Sequence, residues 1–214
     1  MGNDEPRVLL VRHGQSEFNA HSSHLVGGRS SWAELTEQGK AQAQALGMLW
    51  RSALAADHLV LASTAVRATQ TARYALETAQ ASLTRLATHS ELEELDQGRW
   101  TGRDRSEIYT VEQQAVIDED NWNFRSPGGE SQADVFARVA ALLEREVVAQ
   151  GRTAWVVCHG VVITSLLAGW GHLDRSTAWK TRIANASITE LGYRGVSTQE
   201  VRRNDTQHLM SAAT

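Results

Sequence analysis

Arg12, His13 and Gly14 end a short apolar run, LLV at residues 9–11, and His159-Gly160 follows a second, AWVVC at 154–158. Arg67 lies a few residues past a third, HLVLA at 58–62. A guanidinium stays charged and can grip two oxygens of a phosphoryl group at once. An imidazole can attack phosphorus if a hydrogen bond from its other ring nitrogen fixes the tautomer. Arginines beside it would stabilise charge on the equatorial oxygens of the transferring group. Gly14 and Gly160 let backbone approach closely, and a helix starting after Gly160 would point N–H groups at an anion. Arg12-His13 alone leaves three readings open: a phosphate site, a metal site and a plain polar strand end.

Phosphoryl transfer also needs a proton donor for the leaving oxygen. The stretch HSELEELDQGRWTG at 89–102 offers Glu91, Glu93, Glu94 and Asp96. By itself it reads first as a solvated acidic loop, and its spacing does not rank the four carboxylates.

These residues need a scaffold. Residues 8–11, 58–62 and 154–158 read as buried strands. Thr36 is placed to cap a helix running to about Leu54. Residues 63–78 read as a loop and then a helix with Ala68, Ala72, Ala75 and Leu76 on one face. Pro127-Gly128-Gly129 signals a turn. Ser131 follows as an N-cap with Asp134 at the third helical position. The helix it opens carries Val135, Val139, Leu142, Leu143 and Val147 on one stripe. Residues 161–168 read as a short apolar helix, and 187–191 and 199–201 as later strands. Strands alternating with helices predict an α/β three-layer sandwich, a mostly parallel central sheet flanked by helices. Ligands in such folds bind outside the carboxyl ends of the strands. If the three strands are parallel neighbours, both arginines and both histidines gather at one edge. Residues 1–214 read as one domain. Within it, about 96–127 is poorly patterned and reads as a cap insertion, with Trp100, Trp122 and Phe124 as an apolar wall.

Composition narrows the function classes. The chain has 214 residues, 42% hydrophobic and 21% charged, with net charge −4. That balance favours neither nucleic acid nor an anionic membrane, so an anionic ligand must be held by a local cluster. No apolar run reaches the ~20 residues that span a bilayer. MGNDEPR at the start lacks the layout of a secretion signal, and Pro6 breaks the myristoylation pattern. One cysteine, Cys158, excludes an internal disulfide and fits a reducing, cytoplasmic setting. Asn185-Ala186-Ser187 matches a glycosylation acceptor that such a setting leaves unused.

Several blocks then resemble one family in order. RHGQSEFN at 12–19 is similar to the RHG-x-[ST]-x-x-N signature of the histidine phosphatase superfamily, whose fold is phosphoglycerate-mutase-like. STAVRATQTA at 63–72, LEELDQGRWTG at 92–102, PGGES at 127–131, VVCHGVVI at 156–163 and NASITEL at 185–191 resemble later blocks of that family. The resemblance implies that His13 is the phosphorylated nucleophile and that Arg12, Arg67 and His159 form the phosphate pocket. It implies that Glu94 is the proton donor, Asn19 borders the phosphate and Gly160 offers a backbone N–H. It further implies a small phosphomonoester metabolite as substrate, with no metal and no cofactor. A cofactor-dependent phosphoglycerate mutase or a sugar-bisphosphatase is the alternative within the family. LEELDQG differs from the mutase-like L-x-E-R-x-Y-G, and the short chain also favours hydrolysis. A non-catalytic phosphate-binding or scaffold protein is the alternative outside enzymes. The oligomeric state is not indicated.

Rival chemistries fit less well. A cysteine phosphatase wants arginine six residues after the nucleophile, and position 164 is Thr164. Cys158 instead closes an apolar run, where a free thiol packs as a small hydrophobe. No HExxH-like spacing marks a metal hydrolase. Trp50 and Trp155 are expected in the core and Arg29 in a solvated loop; His21 and His24 read as structural or exposed, though near enough to the first loop to line a substrate entrance.

Overall fold

The computed structural model describes residues 5–54, 58–194 and 197–210. The start of the chain tested above for a leader, residues 1–4, lies outside them. The order is β1 (Arg7–Arg12), α1 (Glu17–His21), α2 (Glu37–Ala53), β2 (Leu59–Ser63), α3 (Val66–Thr78) and β3 (Leu86–His89). Next come α4 (Arg105–Ile108), α5 (Val111–Glu119), α6 (Gln132–Leu143), β4 (Ala154–Cys158) and α7 (Gly160–Gly169). The chain continues with β5 (Ile188–Arg194), β6 (Ser197–Asp205) and α8 (Gln207–Met210).

Among the described residues, six strands form one sheet in the order β3-β2-β4-β1-β5-β6. The first four run parallel; β5 and β6 are antiparallel. β4 lies between β1 and β2, and all five of its residues are buried. A strand covered on both faces reads as a continuous apolar run, which is what AWVVC is. Side chains alternate across the sheet. Leu9, Val11, Trp155 and Val157 pack on one face with Leu46 and Trp50 of α2 and Ala68, Ala72 and Leu76 of α3. Leu10, Val156 and Cys158 pack on the other with Val135, Val139 and Leu142 of α6 and Ile163 and Leu166 of α7. This is the expected three-layer α/β arrangement. Trp50 and Trp155 sit in the core with ring centroids 5.4 Å apart.

Local signals act as anticipated. The Thr36 side chain accepts from Gly39 N–H, and Ser131 with Asp134 forms a reciprocal capping box. The helix α6 runs on through one π turn, Glu144–Val148. Strand β6 is longer than the expected 199–201. β3 was not anticipated; it is a four-residue edge strand with no buried residue.

The segment 96–127 folds as a 3-10 turn (Gly98–Trp100) followed by α4 and α5. Trp100, Ile108 and Ile117 form a small apolar cluster of their own with Val26, flanked by Tyr109 and Phe124. Among the described residues, no helix is long and apolar enough to cross a membrane.

Candidate active site

β1, β4 and β2 are adjacent and parallel, so their carboxyl ends open on one edge of the sheet. His13 N–H donates to the Cys158 carbonyl at 3.0 Å, which ties the end of β1 to the end of β4. Arg67 enters from the first turn of α3, and His159 is the residue that opens α7. Gly14 is required by close packing. A Cβ there would stand 2.6 Å from the Gly39 carbonyl oxygen at the start of α2.

His13 is buried, 3% exposed. Its Nδ1 lies 2.7 Å from the Gly14 carbonyl. A carbonyl can only accept, so Nδ1 carries the proton and Nε2 keeps its lone pair. Arg67 Nε donates to that Nε2 at 3.1 Å. Burial, reinforced by the Arg67 and Arg12 charges, holds the His13 pKa well below the ordinary histidine range. The ring is therefore neutral with a lone pair facing a cation, the state a nucleophile needs.

Arg67 is 4% exposed and anchored by Nη1 on the Ser30 carbonyl at 2.6 Å. Arg12 donates through Nη1 to the Ile183 carbonyl, while its buried Nε has no partner among the described residues. His159 is fully buried, with its ring centroid 5.2 Å from that of His13. Its Nε2 lies 2.8 Å from Ser63 Oγ, and its buried Nδ1 has no partner among the described residues. Ser63 Oγ also accepts from Ala65 N–H at 3.2 Å. With the Ser63 proton directed at Nε2, the neutral imidazole carries its own proton on Nδ1, available to an anion. Burial first, then Arg67, His13 and Arg12, keep the His159 pKa well below its ordinary value.

Glu94 lines the same cleft of about 230 Å³ as Arg12, His13, Asn19 and Arg67. Its carboxylate accepts from Leu95 N–H at 3.1 Å. Burial raises the Glu94 pKa above the usual carboxylate value; the Leu95 and Val161 N–H groups and the charges of Arg67 and Arg12 oppose the rise. A carboxyl shifted towards its protonated form, in the same cleft as a neutral histidine, is the pairing expected of a proton donor and a nucleophile.

The other three carboxylates are committed elsewhere. Glu91 pairs with Arg145 at 3.4 Å. Glu93 accepts from Thr64 Oγ1 at 2.6 Å and pairs with Arg29 at 3.5 Å. Asp96 accepts from Gly98 N–H at 2.7 Å. The structure thus separates four groups that the sequence leaves equivalent.

Asn19 lines the cleft, and its Oδ1 accepts from Ser16 and, at 3.3 Å, from Asn185 Nδ2. Gly160 starts α7; a Cβ there would lie 3.7 Å from Arg12 Nε, so its backbone is near the anion-binding groups. All seven predicted positions, Arg12, His13, Asn19, Arg67, Glu94, His159 and Gly160, converge on this edge.

Several contributors were missed. Asn185 also donates to the His13 carbonyl at 3.0 Å; its sequence suggested only a glycosylation tripeptide. Ser63 and Thr71 lie within the STAVRATQTA stretch but carried no role there. Thr71 Oγ1 accepts from Gly14 N–H at 3.0 Å and donates to the Arg67 carbonyl at 2.7 Å. Arg138 donates to the carbonyls of Glu91, Glu93 and Glu94 and pairs with Glu130 at 3.0 Å. Arg29, expected in solvent, donates to the Glu94 carbonyl at 3.3 Å and to Glu130 at 3.0 Å. Arg29, Arg138 and Glu130 therefore clamp the backbone that carries Glu94. Nothing in the spacing of these residues signals that role.

The expected bystanders behave variously. His21 is exposed on α1, 3.3 Å from Glu17, and His24 is exposed nearby. Burial pushes the Cys158 thiol far up from its ordinary value, which leaves it a packed hydrophobe.

A model of the histidine phosphatase superfamily (branch 1) matches residues 8–206. A "2,3-bisphosphoglycerate-dependent phosphoglycerate mutase" of Rhizobium etli is 30% identical over 167 residues, 76% of this chain and 78% of the relative. A "probable phosphoglycerate mutase GpmB" of Salmonella paratyphi C is 30% identical over 190 residues, 87% of this chain and 85% of the relative. Among solved structures, a mycobacterial glucosyl-3-phosphoglycerate phosphatase with VO3 superposes with a TM-score of 0.75 at 25% identity. It covers 94% of this chain and 100% of its own. YhfR of Bacillus stearothermophilus gives 0.75 at 25% identity, covering 95% of this chain and 99% of its own. The aligned shares of the Rhizobium relative are nearly equal, so chain length does not separate a phosphatase from a mutase here.

Proposed function

Because the chain belongs to the histidine phosphatase superfamily (branch 1), we propose that it hydrolyses a small phosphomonoester through a phosphohistidine on His13. One observation carries the reading: Gly14 O holds the Nδ1 proton, and the Nε2 lone pair lies beside Arg67 in the cleft. In the first step Nε2 attacks phosphorus. The ester P–O bond breaks, and the leaving oxygen takes the Glu94 proton. In the second step water attacks the phosphoryl group, the Glu94 carboxylate takes the water proton, and the P–N bond breaks. Inorganic phosphate and neutral His13 result. Arg12, Arg67 and the Nδ1–H of His159 stabilise the equatorial oxygens. Asn19 and the Gly160 N–H border the phosphate. Residues 96–127 act as a cap, with Arg105 reaching the cleft. The lone buried thiol, Cys158, supports a cytoplasmic setting.

Purified protein should turn over p-nitrophenyl phosphate, and brief exposure to labelled substrate should trap acid-labile, alkali-stable phosphohistidine. His13→Ala should abolish both while its circular dichroism stays that of wild type. Turnover retained in that variant would move the nucleophile elsewhere.

The names of the curated relatives favour a second reading, a phosphoglycerate mutase. Incubation of 3-phosphoglycerate with and without 2,3-bisphosphoglycerate separates the two. Hydrolysis releases inorganic phosphate in either case; a mutase yields the 2-isomer and depends on the bisphosphate.

A further inference from the structure

One turn, residues 183–187, touches three members of the phosphate site. The Ile183 carbonyl accepts from Arg12 Nη1. Ala186 N–H donates to the Arg12 carbonyl at 2.9 Å and to the His13 carbonyl at 3.2 Å. Asn185 Nδ2 donates to the His13 carbonyl at 3.0 Å and to Asn19 Oδ1 at 3.3 Å. The turn is itself held in place. Ser187 Oγ donates to the Ala184 carbonyl at 2.8 Å, and Ala184 N–H donates to Asn204 Oδ1 at 2.7 Å. Ala186 is buried at a φ of 55°, a left-handed conformation that an alanine keeps only where its surroundings impose it.

The Asn185 side chain bridges two elements that packing alone does not join. Asn19 lies on α1, a helix of five residues, none of them buried. Core packing therefore does not fix α1 against the sheet. Glu17 N–H ties the helix to the Glu34 carbonyl at 2.9 Å. The bond from Asn185 ties it to the strand end that carries His13.

The bridge also bears on what Asn19 offers the cleft. Its Oδ1 accepts from Ser16 N–H at 3.4 Å, from Ser16 Oγ at 3.1 Å and from Asn185. The oxygen is engaged, so the Nδ2 hydrogens are what remains for a ligand. Among the described residues nothing accepts from them, and Asn19 lines the cleft with Arg12, His13 and Arg67. An uncommitted amide donor in that company suits a phosphoryl oxygen. An Asn19 turned the other way would present its own oxygen to the anion.

Resting on the phosphatase reading above, we infer that Asn185 is a positioning residue: through its bonds to the His13 carbonyl and to Asn19 Oδ1, it holds the nucleophile and the Asn19 donor in register on one phosphoryl group. Asn185 touches no reacting atom. It acts through Asn19.

Asn185→Leu tests this, because leucine keeps the size of the side chain, removes both donors and adds no charge. Inhibition of p-nitrophenyl phosphate turnover by inorganic phosphate is measured in wild type, Asn185→Leu, Asn19→Ala and the double variant. Asn185→Leu should raise the inhibition constant by about 10-fold, the scale of one hydrogen bond to a charged group. In the Asn19→Ala background the same change should raise it by less than about 3-fold, because residues that act together are not additive. The His13 carbonyl keeps the Ala186 N–H in all four proteins, so the difference between backgrounds reports on Asn19. Equal effects in both backgrounds, or no effect in either, would overturn the inference. A second measurement begins with wild type and does not depend on the folding of a variant. In proton–nitrogen correlation NMR spectra, the Asn19 side-chain NH2 signals should shift when inorganic phosphate is added, and should shift less in Asn185→Leu. Signals that phosphate leaves unmoved in wild type would show that the Asn19 donors do not meet the anion, and would overturn the inference as well. The parent reading fails differently: none of the proteins would turn over p-nitrophenyl phosphate, and no phosphohistidine would be trapped.

Discussion

The first step needs His13 neutral and Glu94 protonated at the same pH, and burial moves both groups in that direction. Burial disfavours charge, which lowers a histidine pKa and raises a carboxyl pKa. The sign of the pH dependence follows. His13 stays neutral well below the ordinary histidine range, so it does not limit activity near neutrality. Glu94 loses its proton as pH rises through its raised pKa, so kcat/KM should fall on that alkaline side. In Glu94→Gln that limb should vanish from the pH profile, and activity should drop by about 10²–10⁴-fold. Glu93→Gln and Glu91→Gln should change far less. Equal losses in the three variants would mean that a different carboxylate donates the proton. At this scale the sequence was partly legible. Arg12, His13, Arg67 and His159 announce themselves by ending apolar runs or following them closely. Glu94 does not, because its distinction from Glu91, Glu93 and Asp96 is one of partners and of facing the cleft, which similar carboxylates spread over residues 91–96 do not display. It was singled out by family resemblance alone.

At the scale of elements, the site depends on contacts that carry no chemistry. The start of α2 presses on the loop after β1: a Cβ on Gly39 would stand 2.0 Å from the Gln15 carbonyl oxygen. Gly39→Ala should therefore cost about 1–3 kcal/mol in urea unfolding, as overpacking does, and should lower kcat by displacing Gly14. Arg138 lies on α6 and holds three carbonyls of the Glu94 strap. Arg138→Met should leave the fold in place and reduce kcat more than it raises KM. A reduction of about 10²-fold corresponds to a displacement of the acid by about 1 Å. An unchanged pH profile of kcat in that variant would remove Arg138 from the positioning of Glu94. The helices with an apolar stripe, α2, α3 and α6, were readable from periodicity. Helix α5 was not: Ile117 is buried, but Val111 and Val116 are exposed, so no stripe forms. β3 is short, lies at the sheet edge and exposes Ala87 and Thr88, so it shows no apolar run.

Across the whole molecule, the buried histidines tie stability to pH. In the unfolded chain His13 and His159 take up protons near pH 6.5; in the folded chain both resist them to much lower pH. The unfolded state then binds more protons, so their contribution is present above about pH 6.5 and is lost as pH falls below it. Glu94, with its pKa raised, has the opposite sign and weakens the fold as pH rises through that value. Urea midpoints should fall between about pH 7.5 and about pH 5.5, and the fall should be smaller in His159→Gln. An identical slope in wild type and variant would show that His159 does not resist protonation in the fold.

The sheet order also has a consequence for how the protein comes into being. β4 separates β1 from β2, yet it is the last of the four parallel strands to leave the ribosome. Until residues 154–158 emerge, β1 and β2 have no common neighbour, and their facing edges stay open to other chains. Arg12, His13 and Arg67 are synthesised early but cannot converge until His159 closes the arrangement. Acquisition of phosphate-binding ability should therefore coincide with the final docking of the sheet, and chains stalled before β4 should be both inert and prone to aggregate.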